Sequence, residues 1–348
     1  MQPVFDGHND VLLHLWRARD WDGAQFFAGR GDGHLDLPRA RAGGLMGGFF
    51  AIYVPEEAPL AEGDEAEGAL VDGPPIGPVD AAFARRATHE IAGILLRMVR
   101  ARPDAIRLCR SAAEIEAAEA AGALAAILHL EGCEAIGPDL GGLEVLHAAG
   151  LRSLGPVWSR PNIFGQGVSF RFPGDAEEGG GLTPAGRDLV AACDRLGVMV
   201  DLSHLNAAGF RDVARLSSKP LVATHSNVWE LSNSSRNLAD WQLAAIAESR
   251  GVVGLNYAVG FLRADGRKIA DTPFETMLRH LDRLVERLGE GGVALGSDFD
   301  GAEIPRALAD VSGLPRLVEA MRAAGYGEAL IRRICRDNWI DLLRRTIG

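Results

Sequence analysis

Two ionisable side chains lie two residues apart near the start of the chain, His8 and Asp10, in the stretch Phe-Asp-Gly-His-Asn-Asp. Residues two apart on an extended segment project to the same face, so this imidazole and this carboxylate are predicted to point at one place. Both groups are ordinary ligands of a zinc-like divalent ion. The triplet alone is a weak signal because it is common by chance, and the rest of a metal site must come from elsewhere in the chain.

Further residues of the same kind each come soon after a short apolar run: Glu131, His204, His225 and Asp298. Taken singly, each is more often a hydrogen-bonded structural group than a ligand. Together with the first pair they make three imidazoles and three carboxylates. That set is too large for one ion with an open position and suits two ions that share a carboxylate.

The apolar runs that precede these residues alternate with segments of helical period. The runs lie at residues 3–8, 45–54, 124–130, 151–158, 198–202, 221–223, 252–256 and 293–296. Buried strands separated by helices predict a parallel sheet with crossover helices, and eight strands close a TIM-type (β/α)8 barrel. Barrel active sites lie at the carboxyl ends of the strands, where the candidate ligands fall. An open doubly wound sheet is the alternative, and the lack of a Gly-x-Gly-x-x-Gly turn after the first run argues against it.

The domain organisation follows from the same pattern. We expect one barrel domain over residues 1–348 with a helical extension at its C-terminal end. Residues 56–79 are acidic and rich in Gly and Pro, and residues 159–182 are Gly-rich and irregular, so both are predicted to be loops on the active-site side. Amphipathic tail helices such as 331–343 are expected to be buried on the barrel, with a homodimer contact as the alternative.

Composition limits the classes of partner. The formal net charge is -11, and Lys and Arg are scattered, which argues against nucleic acid or an anionic membrane surface as the main partner. The 4 cysteines form no Cys-x-x-Cys pair and are predicted to be reduced and buried. No signal segment precedes the first run and no apolar run is long enough to span a bilayer. We therefore expect a cytoplasmic enzyme, unless upstream sequence has been removed.

As a set, the motifs resemble those of the renal (membrane) dipeptidase family of zinc peptidases, a branch of the amidohydrolase barrels. The matching motifs, in the family's order, are Asp-Gly-His-Asn-Asp at 6–10, Glu-Gly at 131–132, Val-Asp-Leu-Ser-His at 200–204, Thr-His-Ser-Asn at 224–227, Ser-Arg-Asn at 235–237 and Gly-Ser-Asp-Phe-Asp-Gly at 296–301. The resemblance therefore covers the chain from Asp6 to at least Gly301, and the set of motifs is highly specific.

The resemblance implies a metal-ligand set, position by position. It implies that His8 and Asp10 hold one zinc ion. It implies that His204 and His225 hold the other, and that Glu131 bridges the two. The implied cofactor is therefore two Zn²⁺ per chain.

The resemblance also implies the proton and substrate chemistry. Asp298 matches the carboxylate that handles protons beside the bridging water, and Arg236 matches the arginine that holds the substrate's carboxylate. Trp158 departs from the family pattern, because many of its dipeptidases carry there a histidine that assists the scissile carbonyl. Tyr257 lies one place before the family's usual tyrosine and either contacts substrate or packs. Arg160 is a second candidate for substrate recognition, weighed evenly against a surface arginine.

The resulting hypothesis is a binuclear zinc dipeptidase that hydrolyses the peptide bond of free dipeptides, including those with a C-terminal D-residue, by attack of a metal-bridging hydroxide. Two other classes stay open. One is a related two-metal enzyme acting on another amide, a lactone or a phosphoester, which the Trp158 departure leaves open. The other is a metal-stabilised barrel that binds a ligand without turnover. It is ranked low because neither a metal-ligand residue nor the proton-handling carboxylate is missing.

Overall fold

The computed structural model describes residues 1–56, 67–73 and 76–348. Within these ranges the chain forms nine β-strands. The strands are β1 Val4–Asn9, β2 Leu45–Tyr53, β3 Ile106–Leu108, β4 Leu124–Glu131, β5 Leu151–Gly155, β6 Met199–Val200, β7 Val222–Ser226, β8 Val252–Leu255 and β9 Val293–Leu295. All except β3 overlap the predicted apolar runs, and β7 extends three residues beyond its run at 221–223. Strand β3 was not predicted, because a strand of 3 residues is too short to show a period.

Helices occupy the connections between the strands. In the described ranges they are α1 Val11–Arg17, α2 Ala24–Ala28, α3 Leu37–Gly43, α4 Ala81–Ala101, α5 Ala112–Ala120, α6 Gly141–Ala149, α7 Pro184–Leu196, α8 Ala207–Leu216, α9 Asp240–Glu248, α10 Val259–Leu262, α11 Phe274–Leu288, α12 Leu314–Ala323, α13 Glu328–Arg332 and α14 Asn338–Thr346. None of these helices combines the length and the apolar character needed to cross a bilayer. The cytoplasmic location stays a prediction.

The strands run parallel in two sheets that single bridges join. One sheet has the order β1-β2-β4-β5-β6, with β3 added beside β4, and the other has the order β7-β8-β9. Asp201, directly after β6, bridges Val222 of β7. Asn9 of β1 bridges Phe299, which follows β9. The strands other than β3 therefore close into a ring, which confirms the predicted barrel.

Strand β4 shows how the barrel separates an apolar core from a polar end. All of its residues are buried, and alternate side chains share one face. On one face Ala125 and Ile127 belong to an apolar cluster, and His129 and Glu131 follow on the same face. The change from apolar to ionisable side chains along this face places the polar groups at the carboxyl end of the barrel.

The C-terminal helices close the opposite end of the barrel. Trp339 of α14 is fully buried in the same apolar cluster as Phe5 and Phe49. Its ring meets Phe49 edge-on with the centroids 5.3 Å apart, and its Nε1 donates to the carbonyl oxygen of Leu295 at 2.9 Å. The apolar face of the tail thus packs on the barrel, as expected, and the homodimer stays a prediction.

The two irregular stretches lie near each other. Of residues 56–79, positions 57–66 and 74–75 lie outside the described residues. In the described part, Gly73 donates its N–H to the carbonyl oxygen of Phe170 at 3.0 Å. Residues 159–182 contain no helix or strand, and Val168 donates its N–H to the carbonyl oxygen of His204 at 2.9 Å. The second stretch therefore runs beside one of the candidate ligands.

Candidate metal centre and substrate site

The candidate ligands meet at the carboxyl end of the barrel around Glu131, the last residue of β4. Oε1 of Glu131 lies 3.0 Å from Nε2 of His204 and 3.5 Å from Nε2 of His225. It also lies 3.6 Å from Nε2 of His8, which is itself 3.2 Å from Oδ2 of Asp10. All of these side chains are buried. One carboxylate oxygen thus lies within 3.6 Å of all three imidazoles, and the His8 and His225 rings stack with their centroids 3.9 Å apart. The resemblance implies that this carboxylate is the bridging group.

His8 and Asp10 converge although the backbone between them is not a regular strand. The pairing of β1 with β2 is irregular between Asp6 and Asn9. Asp10 has left the extended region, with φ -108° and ψ 22°, and is the N-cap of α1. The two-residue alternation behind the prediction is therefore not what aligns the side chains. An irregular strand end and the turn into α1 align them instead.

Hydroxyl groups fix the ring orientation of two of the histidines. Nδ1 of His204 lies 2.8 Å from Oγ of Ser159, and Nδ1 of His225 lies 2.7 Å from Oγ1 of Thr224. The Thr224 hydroxyl donates to Oδ2 of Asp201 at 2.5 Å, so it accepts the proton on Nδ1 of His225. In this tautomer Nε2 keeps its lone pair and faces Glu131.

The same two histidines form a set of electron-pair donors. Burial keeps the pKa of both His204 and His225 well below that of an ordinary histidine, and the positive charge of Arg236 adds to the effect. Both rings are therefore neutral, and their Nε2 atoms lie 3.1 Å apart. Lone pairs that face one another and a carboxylate repel unless a cation lies among them. Imidazole nitrogen with carboxylate oxygen is the donor set of zinc, so the residues fit that metal.

The β1 side of the cluster is rich in carboxylates. Ligand atoms of His8, Asp10 and Asp298 all lie within 4.8 Å of one another. Burial raises the pKa of Glu131 and of Asp298 above the ordinary range of a carboxyl group. Among the described residues, Nδ1 of His8 and Oδ1 of Asp10 are buried without a hydrogen-bond partner. Buried carboxylates with unsatisfied atoms call for a positive charge, which a second metal ion would supply.

Asp298 reaches the cluster from a tight loop after β9. Its backbone is left-handed, with φ 62°, and its N–H donates to the carbonyl oxygen of His8 at 3.0 Å. Nδ2 of Asn256 donates to Oδ2 of Asp298 at 2.9 Å. A Cβ at Gly301 would clash with Oδ1 of Asp298 and with Oδ2 of Asp10. Glycine at 301 is therefore what allows the two carboxylates to lie together.

The guanidinium of Arg236 lies against the His204 and His225 side of the cluster. Its Nη2 donates to the carbonyl oxygen of His225 at 2.9 Å and lies 3.2 Å from Nε2 of His204. Its Nη1 donates to Oγ of Ser226 at 2.8 Å. Burial lowers the pKa of Arg236 to about 10, so the group stays charged at neutral pH. Its buried Nε has no hydrogen-bond partner in the described part of the chain, which leaves a donor for a substrate carboxylate.

Arg160 is not a surface arginine. Its side chain is 1% exposed, because Nε donates to Oε1 of Glu134 and Nη2 to the carbonyl oxygen of Val54, both at 2.7 Å. Its guanidinium lies 5.3 Å from the centre of the Trp158 ring. Trp158 in turn lies 5.6 Å from the ring of His204, beside the cluster. Substrate recognition by Arg160 stays a prediction.

Tyr257 is completely buried. Its ring meets that of Phe299 edge-on with the centroids 5.7 Å apart, and its hydroxyl has no hydrogen-bond partner among the described residues. The observed contact is packing against the loop that carries Asp298. A contact of Tyr257 with substrate stays a prediction.

The residues that orient the cluster were not predicted from the sequence. They are Ser159, Asp201, Thr224 and Asn256. Thr224 directly precedes His225, and Asp201 lies three residues before His204, both inside the quoted motifs. A hydroxyl or carboxylate so close to a histidine was an available signal. Serine, threonine and asparagine are common at strand ends, however, so residue type alone does not identify such partners.

A closed parallel barrel that gathers imidazoles and carboxylates at its carboxyl end defines a class of protein, the metal-dependent hydrolases built on (β/α)8 barrels. Residues 1–346 match the sequence model of the membrane dipeptidase family, peptidase family M19. The chain therefore belongs to the membrane dipeptidase family, a family of peptide-bond hydrolases. The resemblance inferred from the motifs is confirmed.

Solved structures and a curated sequence are similar to this chain over most of its length. The dipeptidase AC, a metallopeptidase of family M19, is 55% identical, with a TM-score of 0.94 and 99% of each chain covered. The same values hold for a metallopeptidase from Rhodobacter sphaeroides, solved with a phosphinate mimic of the dipeptide L-Ala-D-Ala. An uncharacterised protein in the pqqA 5′ region of Klebsiella pneumoniae is 43% identical over 272 residues, which are 78% of this chain and 98% of that protein.

Proposed function

We propose that the protein is a binuclear zinc dipeptidase that hydrolyses the peptide bond of free dipeptides. One observation carries the proposal: three imidazole Nε2 atoms lie within 3.6 Å of a single oxygen of Glu131. A tetrahedral ion with an open position uses three protein ligands, fewer than the cluster offers. Two ions that share a carboxylate use them all.

The family resemblance supports a division of the ligands between two ions. His8 and Asp10 would hold one ion, and His204 and His225 the other, with Glu131 contributing to both. When bound, the ions would lower the pKa of a water molecule and polarise the carbonyl group of the scissile bond. The protein's own part is to hold neutral imidazoles and buried carboxylates in place and to move the protons.

Asp298 is the proposed proton carrier. It lies with His8 and Asp10 in the carboxylate-rich part of the cluster, and Asn256 holds one of its oxygens. Burial raises its pKa, which makes it a stronger base than an exposed aspartate. It takes the proton of the attacking water and delivers it to the nitrogen of the leaving amine.

Arg236 is proposed to bind the free carboxylate of the substrate. Its guanidinium lies 3.2 Å from Nε2 of His204, so a carboxylate bound there is only about one residue from the bond that is cleaved. This spacing favours removal of a single C-terminal residue. The Rhodobacter sphaeroides relative was solved with an L-Ala-D-Ala mimic, and we propose that this protein also accepts a C-terminal D-residue.

Metal analysis and activity together test the proposal. Protein purified without chelator should contain close to two zinc ions per chain and hydrolyse L-Ala-D-Ala and L-Ala-L-Ala. Chelation should abolish hydrolysis, and added zinc should restore it. Undiminished hydrolysis in a metal-free preparation would refute the proposal, and full activity with one ion per chain would refute its binuclear part.

A second candidate is a related two-metal enzyme that acts on another amide, a lactone or a phosphoester. Trp158 favours it, because an indole beside His204 can be neither an acid nor a ligand. A panel of dipeptides, lactones and phosphotriesters separates the two enzymes by their kcat/KM values. A barrel that only binds a ligand would contain metal and hydrolyse no member of the panel.

A further inference from the structure

Three aromatic side chains beside the candidate site take no part in the proposed chemistry. Trp158 meets Phe170 edge-on with the ring centroids 5.5 Å apart. Phe170 stacks on Phe261 with the centroids 6.0 Å apart and the planes inclined by 17°. All three are half-buried, so each keeps part of its surface in solvent. We call Trp158, Phe170 and Phe261 the aromatic wall.

The aromatic wall is connected at both ends to groups of the candidate site. At one end the Trp158 ring lies 5.6 Å from the ring of His204. At the other end the guanidinium carbon of Arg236 lies 5.9 Å from the centre of the Phe261 ring. Because Arg236 and His204 also approach within 3.2 Å, the five side chains form a closed circuit of contacts. The wall therefore extends from a candidate metal ligand to the candidate carboxylate-binding group.

The aromatic wall is held from behind by buried polar contacts. Arg160 lies against the Trp158 ring and is fixed by its ion pair with Glu134 at 2.7 Å. The backbone carbonyl of Phe261 accepts from Nδ2 of Asn237 at 2.8 Å. These contacts give Arg160 a structural reason to be buried. They also hold the ring positions before a ligand arrives, which lowers the entropy cost of binding.

We propose that the aromatic wall binds the side chain of the substrate's C-terminal residue and selects apolar side chains over acidic ones. The inference rests on the proposed function, since it takes Arg236 as the group that binds the carboxylate. In an amino acid the Cβ atom is roughly 2.5 Å from the carboxylate carbon, so a leucine-sized side chain of a residue bound at Arg236 reaches Phe261. Aromatic faces gain from covering apolar atoms, and the phenyl rings of Phe170 and Phe261 offer a second carboxylate no hydrogen-bond donor.

The first test compares hydrolysis by the zinc-loaded protein and by its Phe261→Ala variant. The substrates are L-Ala-Gly, L-Ala-D-Leu and L-Ala-D-Glu. The unmodified protein should prefer the leucine substrate to the glutamate one. The variant should lose about tenfold in kcat/KM for L-Ala-D-Leu, the size expected for part of an apolar pocket, and stay within about twofold for L-Ala-Gly. Phe27→Ala truncates a half-buried ring of α2 away from the site. It should leave the ratio of kcat/KM for L-Ala-D-Leu to that for L-Ala-Gly unchanged.

A binding measurement keeps the test independent of turnover. Calorimetry gives the dissociation constants of phosphinate mimics of L-Ala-D-Leu and L-Ala-Gly for the same zinc-loaded proteins. Phe261→Ala should weaken the leucine mimic about tenfold and leave the glycine mimic unchanged. That result in a protein that hydrolyses no dipeptide would support the subsite while refuting the proposed function.

Other outcomes would overturn the subsite. Equal losses on the leucine and glycine members of either pair would show that Phe261 supports the site without selecting a side chain. A preference of the unmodified protein for L-Ala-D-Glu would show that the wall does not exclude charge. If Phe261→Ala fails to fold, Phe170→Ala removes the neighbouring ring of the wall and carries the same expectations.

Discussion

The two sides of the candidate metal centre are supported in different ways. On the β6 and β7 side, hydroxyl groups lie 2.8 Å and 2.7 Å from Nδ1 of His204 and His225 and set their orientation. On the β1 and β9 side, Nδ1 of His8 has no hydrogen-bond partner among the described residues. Backbone contacts position that side instead: the N–H of Asp10 donates at 2.8 Å to a carbonyl oxygen of the loop after β9. The first half is oriented by hydroxyl groups, and the second by backbone contacts together with the amide of Asn256, which donates to Asp298.

The two sides also differ in charge. The guanidinium of Arg236 gives the β6 and β7 side a positive charge, while the His204 and His225 rings on that side are neutral. On the β1 and β9 side two carboxylates, Asp10 and Asp298, lie around one imidazole, His8, whose pKa the charges of Glu131 and Asp10 raise to about 10. We therefore expect a dipeptide to lie with its carboxylate toward β7 and its ammonium group toward β1, across Glu131. The following variants change both sides at once or only one of them.

Glu131→Gln is expected to have the largest effect, because Glu131 is the one side chain shared by both sides. The substitution keeps the shape of the side chain and removes the negative charge that two cations would share. Each ion contributes several kcal/mol of transition-state stabilisation, and a loss of about 4 kcal/mol corresponds to about 1,000-fold in rate. We expect kcat/KM for L-Ala-D-Ala to fall at least about 1,000-fold, with bound zinc reduced at both sites by mass spectrometry.

The control for this variant is Glu144→Gln, the same change at an exposed position of α6. It should leave activity and zinc content unchanged. A Glu131→Gln protein that keeps two zinc ions and most of its activity would show that the carboxylate does not join the two sides.

Arg236→Lys changes only the β7 side. Lysine keeps the positive charge but cannot make the paired contacts of a guanidinium, so it loses both the grip on a carboxylate and the bond to Ser226. We expect KM for free dipeptides to rise about 10- to 100-fold, a loss of one charge-assisted pair of hydrogen bonds. The same dipeptides with an amidated C-terminus should be hydrolysed at similar rates by both proteins. Equal losses on free and amidated substrates would contradict the carboxylate assignment.

Thr224→Val tests whether the hydroxyl groups hold the β7 side. Valine has the shape of threonine but gives Nδ1 of His225 no acceptor and Oδ2 of Asp201 no donor. Removing such a partner typically weakens metal binding 10- to 100-fold. We expect zinc titration to show this loss for one ion and little change for the other.

Two further variants serve as controls for this result. Thr224→Ser keeps the hydroxyl and should restore the affinity. Thr88→Val makes the same change at a buried threonine of α4 whose hydroxyl has no partner in the described chain, and it should leave zinc binding unchanged. If both ions weaken equally in Thr224→Val, the two sides do not act independently.

The barrel strands were predictable from the sequence, whereas the short strand β3 and the closure of the ring were not. The barrel strands are buried on both faces and appear as continuous apolar runs, which is why eight of them were recognised. Among the described strands β3 pairs only with β4, through residues 106–108, and so short a strand carries no signal of its own. Closure of the ring through Asp201 and Phe299 depends on single bridges that no local pattern records.

The candidate ligands were predictable because ionisable residues at the ends of buried strands are unusual. The residues that support these ligands were harder to predict. Burial of Arg160 depends on Glu134, 26 residues earlier in the chain, and a local pattern does not reveal such a pair. The approach of His8 to Asp10 was predicted for the wrong reason, because an irregular strand end aligns them rather than regular alternation.

Asp300→Asn is the matching test on the β9 side and should have the smallest effect. Asp300 is left-handed, with φ 67°, and its buried carboxylate lies 3.2 Å from Nη1 of Arg30. Its other oxygen accepts the N–H of His34 at 2.5 Å. Asparagine keeps an oxygen for His34 but removes the buried charge partner of Arg30, whose guanidinium is 3% exposed. Arg30 then keeps the longer ion pair, at 3.4 Å, with the exposed carboxylate of Asp32. The loop that carries Asp298 should therefore lose part of its support.

Because a displacement of about 1 Å at a reacting group costs on the order of 100-fold, a smaller shift of Asp298 should lower kcat roughly tenfold. KM and the zinc content should stay the same, since the β7 side and the ligands themselves are untouched. Asp139→Asn, at an exposed position before α6, is the control and should change neither constant. A rise in KM with kcat unchanged, or a loss of zinc, would show that this loop supports the substrate or a metal ion instead of the proton carrier.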